Sequence, residues 1–192
     1  MRKLTYYVAC SLDGYIAHQD GSHDGFSQDS EYLAEIVATF PETIPAHLHD
    51  VMGVKGENQW FDTVLMGRRT YEVGLKVGVT NPYPHLKQYL FSRSMRESPD
   101  AAVELISEDA IARVKKLKQE SGQGIWLCGG ADLAAALFAE QLIDQLILKI
   151  NPFLMGAGIP LFAGTIAQTA LKLTDSKIYS NGVVVVHYQI NP

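Results

Sequence analysis

Residues Ile125 to Leu133 read IWLCGGADL, and they set an apolar run (Ile125 to Cys128) directly against a helix-like stretch (Ala131 to Leu142) with only Gly129 and Gly130 between them. A short continuous apolar run followed at once by helical spacing is a strand feeding a helix, the unit from which parallel α/β sheets are built. Neither glycine adds to a core. The corner therefore calls for a backbone without Cβ atoms.

Outward from that corner the same pattern repeats. Leu4 to Cys10, Val64 to Met66, Gln88 to Phe91 and Val103 to Ile106 are short, largely continuous apolar runs, as strands buried on both faces are. Between them, Glu31 to Phe40, Arg69 to Leu75, Ala110 to Gln119 and Asp132 to Leu142 carry helical spacing. After Gln145 to Ile150 the character changes to two long runs, Leu171 to Tyr179 and Val183 to Ile190, joined by Ser180-Asn181-Gly182. An Asn-Gly pair between β-branched runs is a hairpin signal, so the sheet is expected to close with an antiparallel pair. Eight strands result, in a mixed and mostly parallel sheet. Residues 41–60, with Pro41, Pro45, Gly53 and Gly56, read as loop and short helix.

With 192 residues, 47% of them hydrophobic and 19% charged, the chain supports one sizeable core, and a single domain is expected. The net charge of -5 and the absence of a basic run longer than Arg68-Arg69 or Lys115-Lys116 leave no footprint for a nucleic-acid backbone. No stretch approaches the ~20 apolar residues of a membrane helix, and the first residues break into polar and turn types too early for a signal peptide. A cytoplasmic protein is the expectation. Cys10 and Cys128 each stand inside an apolar run, which reads as two buried reduced thiols. His47-x-His49 lacks a third ligand of matching spacing, so no metal is expected.

In open α/β sheets, ligands sit outside the carboxyl ends of strands, where a following helix offers its free N–H groups. Gly129 and Gly130 occupy such a corner. VLMGRRTYE makes a second, placing Gly67 after a strand and Arg68, Arg69 and Thr70 at a helix start. LFSRS makes a third, with Ser92, Arg93 and Ser94 just past another strand. Guanidiniums and hydroxyls at such positions suit phosphate, and three corners suit a ligand with several phosphates. The P-loop and Rossmann fingerprints are both absent: Gly156-Ala157-Gly158 runs into Pro160 and Leu161.

These segments carry a resemblance. SLDGYIA, VLMGRRTYE, FSRS, WLCGGADL and LIDQLILKINPFLMGAGIPLF occur in the order of the dihydrofolate reductase-like superfamily, and the last is most similar to the reductase domain of the bifunctional riboflavin-biosynthesis deaminase-reductase. The resemblance implies a three-layer α/β/α fold on an eight-stranded sheet, NADPH as cofactor and a homodimer. It further implies that Gly129, Gly130, Ala131 and Asp132 line the pyrophosphate, often through a cis peptide. Gly67, Arg68, Arg69 and Thr70 would hold the cofactor, and Ser92, Arg93 and Ser94 would meet its 2'-phosphate end. Asp13, Gly14, Ile16, Gly156 and Gly158 would wall the nicotinamide and substrate. Asp29 falls near the acidic residue that dihydrofolate reductases place on the pterin, though it reads equally as a helix-start acid. NQWFDTVLMG lacks the basic pattern that riboflavin reductases carry before the second strand, leaving His47, His49 or Lys55 to meet a substrate phosphate. The expected activity is NADPH-dependent reduction of 5-amino-6-(5-phosphoribosylamino)uracil or a similar heterocycle. The alternatives are a pterin reductase and a non-catalytic NADPH-binding protein.

Overall fold

The apolar runs become strands almost where the pattern places them. A computed structural model describes residues 1–190. Its main sheet contains β1 (Leu4–Ser11), β3 (Phe61–Gly67), β4 (Lys87–Phe91), β5 (Val103–Ile106), β6 (Gly124–Gly129), β7 (Gln145–Asn151), β9 (Leu171–Ile178) and β10 (Val184–Ile190). The order across the sheet is β5-β4-β3-β6-β1-β7-β10-β9. Every neighbouring pair from β5 to β7 is parallel. β10 is antiparallel to both β7 and β9, so it alone runs against the other seven. The most apolar strands, β1 and β6, lie at the centre, in register Leu4 to Ile125 and Tyr6 to Leu127.

Helices cover both faces, giving the three-layer α/β/α arrangement. On one face, Tyr32 and Ile36 of α1 (Ser30–Thr39) and Tyr71 of α3 (Arg68–Leu75) pack on Tyr7, Val64, Met66 and Trp126. On the other, Val114 and Leu117 of α4 (Ala110–Gln119) and Leu133, Ala134 and Leu137 of α5 (Ala131–Ala139) pack on Leu4, Tyr6, Leu65 and Leu127. Residues 41–60 form two 3-10 turns and a one-turn helix, α2 (His49–Met52). Their anchor is the buried Glu42, whose carboxylate accepts from the N–H groups of Trp60 (2.6 Å) and Phe61 (2.8 Å). That anchor lets β3 start at Phe61, three residues before the expected Val64.

Two further boundaries differ from expectation. α5 stops at Ala139 because Gln141 turns left-handed (φ 54°) and the N–H of Leu142 folds back to Leu137 O at 3.0 Å. Two strands too short for any periodicity, β2 (Tyr15–Ala17) and β8 (Ile159–Pro160), pair antiparallel in a small second sheet.

Candidate functional site

The strand-to-helix corners converge. A cleft of about 1010 Å³ opens at the carboxyl ends of β3, β4, β5 and β6, and all three corners line it: Gly67, Arg68, Arg69 and Thr70; Ser92, Arg93 and Ser94; Gly129, Gly130, Ala131 and Asp132. Parallel strands make this convergence inevitable, since each ends on the same edge of the sheet.

Helix capping divides the four helices that pack on the sheet in two groups. α1 starts on Asp29, whose Oδ1 accepts from Tyr32 N at 3.1 Å, and α4 starts on Asp109, whose Oδ1 accepts from Ala112 N at 3.0 Å. α3 and α5 start instead on Gly67 and Gly130, with no side-chain cap. Their first-turn N–H groups therefore lack the carboxylate acceptor that satisfies the starts of α1 and α4. Two uncapped helix starts facing one cleft, with three arginines beside them, form an anion-receiving surface.

The glycines have a second reason to be glycines. A Cβ on Gly130 would stand 3.2 Å from Gly67 Cα, and one on Gly67 would stand 3.3 Å from Gly130 Cα. The two corners thus pack backbone on backbone. Gly130 also sits at φ +110°, which L side chains rarely adopt. The peptide between Gly129 and Gly130 is trans, and no cis bond occurs among the described residues, contrary to the cis peptide implied by resemblance. The corner turns through the positive φ of Gly130 instead.

The arginines differ in freedom. Arg68 donates to Glu72 across one helical turn at 2.7 Å, whereas Arg69 and Arg93 are exposed. Ser92 is buried, and its Oγ accepts from Met95 N at 3.1 Å, so it shapes the turn that carries Arg93. Glu108, Asp109 and Asp132 also border the cleft, confining its positive character to the arginine side.

The expected substrate wall is mostly a clasp. Of its residues only Ile16 lines the cleft, joined by Ala17 and Ile159. Asp13 accepts from Ser11 Oγ (2.6 Å), Met155 N (3.0 Å) and Gly156 N (2.8 Å), which ties the β1–β2 loop to the 155–156 turn. Those hydrogen bonds, Ser11's foremost, hold the Asp13 carboxyl down at about 2. Gly14 O accepts from Leu161 N at 2.9 Å, and a Cβ on Gly158 would meet Ala17 O at 2.5 Å. Asp13, Gly14, Gly156 and Gly158 therefore hold two loops together and do not line the cleft. Asp29, expected either on the substrate or as a helix-start acid, takes the second part: its carboxylate accepts from Tyr32 N at the start of α1, and it does not line the cleft. His47, His49 and Lys55 lie away from it too, His49 bonding Ile44 O at 2.8 Å and facing the His85 ring at 5.1 Å.

Sequence reasoning missed Tyr83, Cys128 and the segment 106–111, all of which line the cleft. Cys128 stood beside the glycine pair and was readable from it; Tyr83 arrives from a loop with no local signal. Burial pushes the Cys128 thiol up to about 12 and raises Tyr83 well above its ordinary value, so neither is an ionised nucleophile near neutrality. Both cysteines are free thiols. Among the described residues no cluster of ligating side chains forms a metal site, and no helix is long and apolar enough to cross a membrane.

Comparison with known proteins places these features. The sequence pattern of the RibD C-terminal domain matches residues 2–185. The uncharacterized protein YwjB of Bacillus subtilis (strain 168) is 34% identical over 187 residues, covering 97% of each chain. The crystal structure of a putative riboflavin biosynthesis protein from Shewanella sp. PV-4 superposes with a TM-score of 0.69 at 20% identity, covering 100% of both chains. RibD of Acinetobacter baumannii superposes with a TM-score of 0.66 at 16% identity, over 100% of this chain and 58% of that one.

Proposed function

Because the chain belongs to the RibD C-terminal domain family, we propose that it is an NADPH-dependent reductase of a small heterocycle, of the 5-amino-6-(5-phosphoribosylamino)uracil reductase type. The observation that carries this reading is the pair of uncapped helix starts at Gly67 and Gly130, beside arginines and within one cleft. A dinucleotide bound there would supply the hydride. The residues of the chain bind and orient. The α5 start at Gly130, Ala131 and Asp132 receives the pyrophosphate, and the α3 start with Arg68, Arg69 and Thr70 holds the adjoining phosphate. Arg93, set by the Ser92 turn, takes the 2'-phosphate. Ile16, Ala17 and Ile159 exclude water from one side of the reacting ring.

The carboxylate that a pterin reductase would place on its substrate is, at Asp29, engaged in capping α1, which favours the uracil-type reading over the pterin one. A cytoplasmic homodimer completes the proposal. The test is fluorescence titration with NADPH, then NADPH oxidation against a panel of pyrimidinedione and pterin substrates. Saturable NADPH binding with turnover of an aminouracil is expected. No NADPH binding would overturn the reading, and binding without turnover of any substrate would leave a nucleotide-binding protein.

A further inference from the structure

Side chains at the middle of an eight-stranded sheet covered on both faces should be buried, and at the carboxyl ends of the central strands they are not: Val8 and Leu148 are partly exposed on one face, and a second group is partly exposed on the other. Ala9 of β1, Cys128 of β6 and Lys149 of β7 are all only partly buried. Ala9 and Lys149 are direct partners in the β1–β7 register, and Cys128 follows Leu127, the partner of Tyr6. Cys128 packs with the cluster that contains Tyr7 and Tyr83, and Lys149 Nζ stands 4.1 Å from the centre of the Tyr7 ring. The alternation along each strand puts these groups on one face, the face of α1. The partial exposure of Ala9 marks open space above it, next to Lys149, and Cys128 on the same face lines the cleft itself together with Tyr83.

Lys149 is the unusual member. Among the described residues no carboxylate lies within ion-pair distance of its Nζ, and none of its side-chain donors has a hydrogen-bond acceptor. Its main chain is held in β7, where its carbonyl accepts from the side chain of the buried Asn151 at 2.9 Å. The Tyr7 ring face offers it a cation–π contact and no lone pair. Burial pushes the ammonium down to about 8, with the nearby Cys128 thiol acting in the opposite sense. A partly buried cation with a ring beneath it and unused donors is a group awaiting an acceptor, and such misfits concentrate at functional sites.

We propose that Lys149 is a substrate-binding residue: its ammonium donates to a ring oxygen of a pyrimidinedione-class heterocycle laid over Ala9, beside Cys128 at the end of the cleft. The proposal rests on the reductase reading and adds to it the residue that would orient the ring. Ala9 leaves room for a flat ring, Cys128 joins that ring's place to the glycine corner, and Lys149 fixes which edge of the ring points away from the cleft.

The probe is 5-nitrouracil, a chromophoric pyrimidinedione that is anionic at neutral pH, titrated by difference absorbance. The unmodified protein binds it. Lys149→Met weakens that binding by about tenfold or more, the scale of one charged hydrogen bond, while the NADPH affinity stays as it was. Ala9→Leu, which fills the space above residue 9 and keeps the lysine, also loses the probe. A second measurement needs no variant: 5-nitrouracil slows reductive methylation of Lys149, read by peptide mapping, and leaves the exposed Lys172 reacting at its own rate. Failure of the unmodified protein to bind the probe, equal affinity in Lys149→Met, or unprotected Lys149 would each overturn the assignment. Those failures with intact NADPH binding leave the reductase reading standing. A protein that binds the probe through Lys149 and ignores NADPH would sink the reductase reading alone.

Discussion

At Lys149 the charge is disfavoured by the fold that surrounds it, and the sign of the consequence follows from linkage. The folded-state value falls from an ordinary 10.5 to about 8, so between those values the unfolded chain binds more protons than the folded one. Stability attributable to this group therefore rises with pH across that window, and below about 8 the full penalty is present. Lys149→Met should thus stabilise the protein at pH 7 by on the order of 1–3 kcal/mol. At roughly 2–4 °C per kcal/mol for a chain of this size, thermal melts at pH 7 and pH 10 should show a clear gain at the first and a smaller one at the second. A variant that melts lower at pH 7 would contradict this. Arg93 is the other residue whose neighbours decide its part. It is exposed and has no ion-pair partner among the described residues, whereas Arg68 shares its charge with Glu72. Arg93→Ala should weaken NADPH binding about ten- to a hundredfold and hardly alter NADH, at fixed salt, because only NADPH carries the phosphate that a guanidinium would grip. Equal losses for both nucleotides would move Arg93 to the shared phosphates.

Elements meet at the glycine corners, and there packing and binding cannot be separated. The start of α3 and the turn before α5 touch through Gly67 and Gly130, at Cβ-to-Cα spacings of 3.2–3.3 Å. A methyl group at Gly67, whose own φ of -70° tolerates any residue, must push the corners apart. Gly67→Ala is expected to cost about 1–3 kcal/mol as overpacking and to lower NADPH affinity with it. Denaturant melts and nucleotide titration on the same sample check both, and an unchanged melt would show that the corners part freely. Gly130→Ala adds strain at φ +110° to the same clash, so its effect should be the larger. Alanine at this corner is consequently not the fold-neutral probe of binding that its sequence position suggests.

For the whole molecule the exposed edge matters most. β9 is the last strand of the sheet, every one of its residues is exposed, and Leu171, Leu173 and Ile178 are 41, 51 and 77% exposed. An unpaired edge with apolar side chains is a pairing surface unless something covers it. A homodimer joined along β9 would cover it. Sedimentation of the unmodified protein is expected to give a dimer, and the double variant Leu173→Lys, Ile178→Asp a folded monomer. A dimer unaffected by those changes would put the interface elsewhere.

The fold class, the eight strands of the main sheet and the three corners are legible in the residues alone, because these are local: an apolar run, a turn residue and a helical period lie within a dozen residues of one another. So is the face that the corners share, since the carboxyl ends of parallel strands lie along one edge. What long separations control emerges only when the chain is folded. Asp13 looked like a site residue, and became a loop clasp through Met155 and Gly156, 142 and 143 positions away, whereas Asp29 took the helix-start part that its local pattern already offered. Gly67 and Gly130 looked like two independent ligand corners, yet 63 positions apart they proved to occupy each other's missing side-chain space. Lys149 looked like one polar residue in an apolar strand. Its place over Tyr7, 142 positions away, is visible only once β1 and β7 are paired, because register aligns side chains that no local period connects.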